Sequence, residues 1–400
     1  MTTHSSSLAA AETRAAPIAS GRNLALDRAR TFIIMLVLIH HSVIPYTYHG
    51  HTDRHSFIGF DCVVWFNDSF FMAAMFLLSG LFVWPSLQRK GNGQFLRDRC
   101  WRLGLPSLVC AAILMPIAYY AVALRHDPDI GFTDFWWNMV TVGPWPSGPA
   151  WFVSVLLALD GIAALSYLAA PNLVAVATRL SLASLARPSR LFWALLIASI
   201  VVYVPAVLYL GASRWFVVGP FSVQASRILL YALYFCTGVG IGAIPLGREM
   251  LAADGGLARR WPIWLAAAIA SYGSILALAY IQYAVLPDQN QQPLWWQIAY
   301  ALAFVSYSAA QTFNVLALFL RFDNAGSSLL DCLRDNAYGI YLVHYVAVLW
   351  LQYALSDISF GPVTQLSAVI KATLVFILTL AFSNAATAAL RRIPGATRVL

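Results

Sequence analysis

The chain has 400 residues, 60% of them hydrophobic and only 10% charged, and it carries a formal net charge of +8. That balance excludes a soluble globular enzyme and describes an integral membrane protein. The basic surplus is what membrane topology and anionic lipid demand, so the lipid bilayer is an expected partner and nucleic acid is not.

Residues 1–26 are rich in Ala, Ser and Thr and hold no apolar core, so they read as a disordered cytoplasmic tail and not as a signal peptide. Runs long enough to span a bilayer then recur about ten times. They lie near Arg30–Tyr48, Phe60–Trp84, Leu103–Leu124, Ala150–Ala170, Leu191–Leu210, Arg227–Ile244, Ile263–Val285, Trp295–Leu320, Ala337–Leu355 and Gln365–Leu390. Together they make one transmembrane domain over 27–392, followed by a short cytoplasmic tail at 393–400. The runs are too long for barrel strands, and a spanning backbone must satisfy its own hydrogen bonds. The predicted fold class is therefore all-α, a polytopic membrane helical bundle of about ten transmembrane helices. The N-terminal tail, alternate loops and C-terminal tail collect most of the arginines, whereas the other side and its helix ends keep Arg54, Arg125, Arg214, Arg227 and Lys371. Such a bias places both termini in the cytoplasm, in a bacterial-type inner membrane.

The first span, TFIIMLVLIHHSV, holds a histidine pair, His40-His41, in an otherwise apolar stretch. Ionisable groups in hydrocarbon are costly, so a retained one points to a functional site. Arg30 and His41 share one helix face, separated by roughly 16 Å of rise, while His40 points about 100° away. A plain interhelical hydrogen bond is the alternative role for His41. In the second span Asn67 and Asp68 fall about two turns from the outer side. The two glutamates, Glu12 and Glu249, lie in exposed stretches. A carboxylate partner for His41 must then be Asp61, Asp68 or Asp160, with Asp68 preferred and Asp160 next. Ser79-Gly80 in the same span permits a close helix contact.

The first cytoplasmic loop, SLQRKGNGQFLRDRCWRLGLPS, sets Arg99 and Arg102 three residues apart, with Arg89, Lys90 and Arg97 nearby. Guanidinium forks suit phosphate oxygens, although such loops are basic for topological reasons alone. Tryptophans gather in the outer segments, mainly as the aromatic belt of any such protein. The best case for a sugar-stacking residue is Trp151, after the Pro/Gly-rich segment GPWPSGPA. The five cysteines are scattered, which suggests neither disulfides nor a metal site. Late in the chain, RDNAYGIYLVHYVAV puts Tyr338, Tyr341 and His344 along one broad face, as a pore lining, an oxyanion donor or structural hydrogen bonds.

In chain order these segments resemble acyltransferase family 3, the multi-span membrane acyltransferases. LDRARTFIIMLVLIHHS matches the family's opening Arg, ten residues, then His, on Arg30 and His41, with Asp27 at the preceding Asp. FLLSGLF, FLRDRCWRLGLP, PAWFVSVLL and NAYGIYLVH are similar to later motifs, falling on Arg99 and Arg102, on Trp151-Phe152, and on Tyr338, Tyr341 and His344. PAWF and YFCTG lean towards the branch with the periplasmic-glucan succinyl transferases. The resemblance covers most of the chain and implies transfer of an acetyl or succinyl group from acyl-CoA, the co-substrate, to a hydroxyl of a carbohydrate or glycan. It makes His41 essential and sets the Arg pair on the CoA side.

On that reading His41 is the general base, Asp68 orients it and Tyr341 donates to the oxyanion. Arg30, Arg99 and Arg102 serve acyl-CoA, and Trp151 and His344 serve the substrate. No metal is expected, and the oligomeric state is left open. A proton-coupled transporter or flippase is the alternative, since intramembrane His and Asp suit proton coupling. Against it stand the lack of an internal repeat and of helices broken by Pro or Gly. A cytochrome with His41 and His344 as haem ligands is the third reading.

Overall fold

The computed structural model describes residues 24–143, 145, 148–169, 187–218, 221–243, 249–286, 292–322 and 328–399. The tail expected over 1–26 lies outside the described residues as far as residue 23, and helix already runs from Leu24. The chain is a helical bundle. Among the described residues nine helices are long and apolar enough to cross a membrane. The ninth expected run, near Ala337–Leu355, is helical over Ala337–Ala354, but its polar stripe makes it less apolar than the others.

Helix α1 (Leu24–Val43) sits at the centre, packed by helices from both halves of the chain. Its hydroxyls are satisfied by its own backbone, Thr31 Oγ1 donating to Asp27 O at 3.0 Å and Ser42 Oγ to Leu38 O at 2.7 Å. In an apolar surround that is the cheapest way to house a hydroxyl. Pro45 follows in a short turn, Ile44–Tyr46.

The second expected span is broken. Helix α2 (Ile58–Asp68) stops at Asp68 and α3 (Phe71–Gly80) resumes after Phe70. Helix α3 lies unusually close to α10 (Ile228–Gly242), which comes later in the chain. A Cβ on Gly80 would stand 2.2 Å from Phe235 O, and one on Gly238 would stand 2.1 Å from Leu77 O. Glycine here is a packing requirement, as the Ser79-Gly80 pair suggested.

Helix α4 (Val83–Arg99) kinks at Gly91, where φ is +74°. It runs on through a wide turn (Cys100–Gly104), α5 (Leu105–Val109), a second wide turn (Cys110–Leu114) and α6 (Met115–His126). Each wide turn precedes a proline, Pro106 or Pro116, which lacks the N–H that would bond four residues back. The carbonyls left over take side-chain donors instead: Tyr338 OH to Arg102 O at 2.6 Å, and Trp136 Nε1 to Ala112 O at 2.8 Å. Pro45 does the same to His41, whose carbonyl accepts Gln352 Nε2 at 2.8 Å.

Helix α7 (Phe132–Thr141) lies on the outside of α6 with no buried residue, Phe132 and Phe135 resting on Tyr120. After it comes the turn Gly148–Ala150, then α8 (Trp151–Ala169). Gly148 has φ of +45°, and a Cβ there would lie 2.2 Å from Met115 Sδ and 3.5 Å from the Tyr345 ring. Within the Pro/Gly-rich segment, Pro149 and Ala150 are thus buried beside interior helices. Irregular backbone is tolerated at that depth only where protein encloses it.

Helix α9 (Pro188–Leu210) leads to an antiparallel hairpin, β1 (Trp215–Val218) and β2 (Phe221–Gln224), paired with Trp215 opposite Gln224. Helices α11 (Trp261–Tyr280) and α12 (Leu294–Arg321) then pack along each other. A short helix α13 (Ser328–Arg334) precedes α14 (Ala337–Ala354) and α15 (Thr364–Leu390). The end of the bundle opposite the N-terminus of α1, called the far face below, is pinned by Lys371. That side chain is 0% exposed, and its Nζ donates to both oxygens of Asp53 at 3.0 Å and to Ser356 O at 3.2 Å.

Candidate active site

His41 lies near the C-terminal end of α1 and faces α14. Its ring centroid is 5.4 Å from that of His344, with the planes inclined 35°, and 5.0 Å from Tyr345 in an edge contact. No hydrogen bond reaches the His41 ring from the described residues. His40 packs edge-on to His41 at 5.4 Å and against Phe71 at 5.2 Å, with its Nδ1 unpartnered. The helix geometry that separates the two histidines therefore sends His41 to the α14 side and His40 to the α3 side.

His344 is fixed by its own helix. Its Nδ1 lies 2.6 Å from Tyr341 O, an atom that only accepts, so Nδ1 carries the proton and Nε2 carries a lone pair. That Nε2 is buried and has no partner among the described residues.

The expectation that Asp68 orients His41 is not met. Arg227 donates to its two oxygens, from Nη1 at 2.9 Å and Nη2 at 2.6 Å. Asp68 ends α2 and faces the start of α10. Asp160 is no substitute: it is 0% exposed and stands 3.1 Å from Arg99 Nε, tying α8 to α4. Asp61 accepts the backbone N–H groups of Tyr48 and His49 at 2.6 and 3.1 Å. Asp68 and Asp61 accept from donors and Asp160 pairs with the Arg99 cation, so each of the three carboxylates is engaged away from His41.

Tyr341 also differs from expectation as an oxyanion donor. Its hydroxyl donates to Pro149 O, holding the Gly148–Ala150 turn against α14. Trp151, just beyond, stacks on Tyr231 at 5.6 Å and meets Trp215 edge-on at 6.2 Å. It is a partly enclosed ring beside α10, not an open outer platform.

The arginines divide their work. Arg30 braces α1: Nη1 lies 3.5 Å from Asp27, Nη2 donates to Leu78 O at 3.0 Å, and the guanidinium lies over the Phe82 ring. Arg99 is committed to Asp160. Arg102 is exposed, as are Arg89 and Arg97, so the pair expected to bind together splits into one structural and one open member.

Two groups escaped the sequence reading. Tyr345 contacts His41, and Tyr119 lies beside it with ring centroids 5.8 Å apart. Tyr345 was legible in principle, since 338, 341 and 345 follow the i, i+3, i+7 spacing of one helix face. Gln352 was not, because its role depends on a proline in a distant helix.

Residues 23–387 match a family model described as an acyltransferase domain, which covers most of the chain. A search of curated proteins returns no match.

Proposed function

The chain belongs to acyltransferase family 3 and is a multi-pass membrane acyltransferase; we propose that it moves an acetyl or succinyl group from acyl-CoA to a hydroxyl of a carbohydrate or glycan. The observation that carries this reading is an imidazole pair enclosed by the bundle, His41 against His344, in which His41 keeps its ring nitrogens free and His344 presents a bare Nε2.

His41 takes the proton of the acceptor hydroxyl as its oxygen attacks the thioester carbonyl. The C–O bond forms, the C–S bond breaks, and the proton passes to the departing CoA thiolate. His344 turns its bare Nε2 towards the site, and on substrate binding it accepts from one His41 nitrogen and leaves the other basic, the orienting role first given to Asp68. Tyr345, whose ring meets His41 edge-on at 5.0 Å, takes the place of Tyr341 as donor to the oxyanion. At the arginine-rich end, exposed Arg102, Arg89 and Arg97 receive CoA phosphates while Arg30 and Arg99 keep the helices in place. That end faces the cytoplasm of a bacterial inner membrane, with both termini on it, because basic loops are retained there.

The test uses the purified full chain with acetyl-CoA and with succinyl-CoA, measuring free CoA thiol. Slow release that quickens with a glycan acceptor is expected, together with its loss in His41→Ala. Release by neither donor, or full transfer by His41→Ala, overturns the reading.

A further inference from the structure

The mechanism above leaves unused a strip of aromatic side chains that runs from the far face to the Asp68–Arg227 pair. At the rim, the exposed His49 ring stacks on Tyr283 with centroids 3.5 Å apart and planes 13° from parallel. Trp65 lies nearly parallel to both, 6.2 Å from Tyr283 and 6.4 Å from His49. Tyr283 is carried by a wide helical turn, Ile281–Val285, a distortion frequent at functional sites. Below, on the same α2 face as Trp65 and three residues on, is Asp68. Tyr300, on α12, stacks on Trp296 at 4.9 Å.

The decisive feature is an asymmetry within the ion pair. The Arg227 side chain is 7% exposed, over the Phe304 ring and beside Tyr203 and Tyr231, all three buried. The Asp68 side chain is 37% exposed although its surroundings are closed. A carboxylate cannot spend that surface on hydrocarbon, so it opens on a polar recess within the bundle.

Flat apolar ring faces with a carboxylate and guanidinium at their base are what a saccharide needs: the rings cover its C–H face and the carboxylate accepts from neighbouring hydroxyls. The recess also ends at the right place, because α3 begins just after Asp68 with Phe71, which packs on His40, and the His40 ring touches that of His41. We propose that this recess docks the acceptor as a saccharide, stacked on His49, Tyr283 and Trp65 with its hydroxyls held by Asp68. The inference rests on the acyltransferase reading and adds the route by which the acceptor arrives.

Membranes containing the full chain are permeabilised and given radiolabelled acetyl-CoA or succinyl-CoA. Label entering the cell's glycan fraction and CoA thiol released in washed, glycan-free membranes are counted separately. Tyr283→Ala and Trp65→Ala are expected to lower glycan labelling about tenfold each while CoA release stays within about twofold of the parent, the loss of one ring stack. Tyr283→Phe should restore labelling, since stacking needs the ring and not the hydroxyl. Unchanged labelling, or labelling and release falling together, overturns the recess. A second arm is independent of turnover: Trp65→Cys should react with a membrane-impermeant maleimide added from the far face, beyond the reaction of the parent cysteines. Protection of that thiol also overturns the proposal, whereas failure of the parent chain to release CoA refutes the donor and leaves the thiol arm to decide the recess.

Discussion

At the N-terminal end of α1, Arg28 forks onto Asp331 with Nε at 2.9 Å and Nη2 at 2.7 Å, and Arg30 is shared between Asp27, Leu78 O and the Phe82 ring. At its C-terminal end, among the described residues, His40 keeps an unpartnered Nδ1, no hydrogen bond reaches the His41 ring, and His344 opposite keeps an unpartnered Nε2. One helix thus commits its permanent charges to structure and leaves its titratable rings uncommitted. A guanidinium inside a bundle has to be paired, because it cannot shed its charge. A neutral imidazole costs far less to leave open, so the unpaired groups are the ones available for chemistry. The same division recurs at Asp160–Arg99 and Asp53–Lys371.

The largest expected effect breaks the comparison at the histidine end. His41→Ala should lower acyl transfer by about 10²–10⁴, the usual range for losing a general base, with no fall in the thermal midpoint in detergent. A charged residue tested at the far face should behave in the opposite way. Lys371→Met leaves Asp53 buried without its cation and should cost about 3–5 kcal/mol of stability, while turnover per folded molecule is retained. A Lys371→Met protein as stable as its parent would show that the paired charges are not structural. Smaller still is Gln352→Leu, which orphans the His41 carbonyl freed by Pro45. A cost of about 1–3 kcal/mol is expected in denaturant titrations, with a rise in the KM for acyl donor smaller than the change in kcat if His41 is displaced.

How far the sequence reached follows from which interactions are local. The Arg30–His41 spacing, the Ser79-Gly80 contact and the ends of the last spans depend on helix period and hydropathy, and α12 and α15 begin and end within a residue of expectation. Partners across helices were not legible. Asp68 had several possible mates, and Arg227, about 160 residues away in the chain, became one only when α10 packed on α3. The GPWPSGPAWF segment read as an outer loop because Pro and Gly forbid helix. That inference was sound for its conformation and silent about its depth, which Tyr341 and Met115 decide.

The smallest effect tests the structural end of α1. Arg28 donates to Asp331, and that hydrogen bond first, then the Arg28 and Arg334 charges, holds the Asp331 carboxyl below the usual carboxylate range. A group whose pKa is depressed in the folded state adds stability above its unfolded value of about 3.9 and loses it as pH falls through the folded value. Asp331→Asn should therefore unfold at a lower temperature than the parent at pH 7, and the gap should close as pH drops below about 4. Because Asp331 is one-third exposed, salt should shrink the gap as well. A gap that survives at low pH would mean that the asparagine disturbs α13 itself, and that the charge on Arg28 is held by something other than this carboxylate.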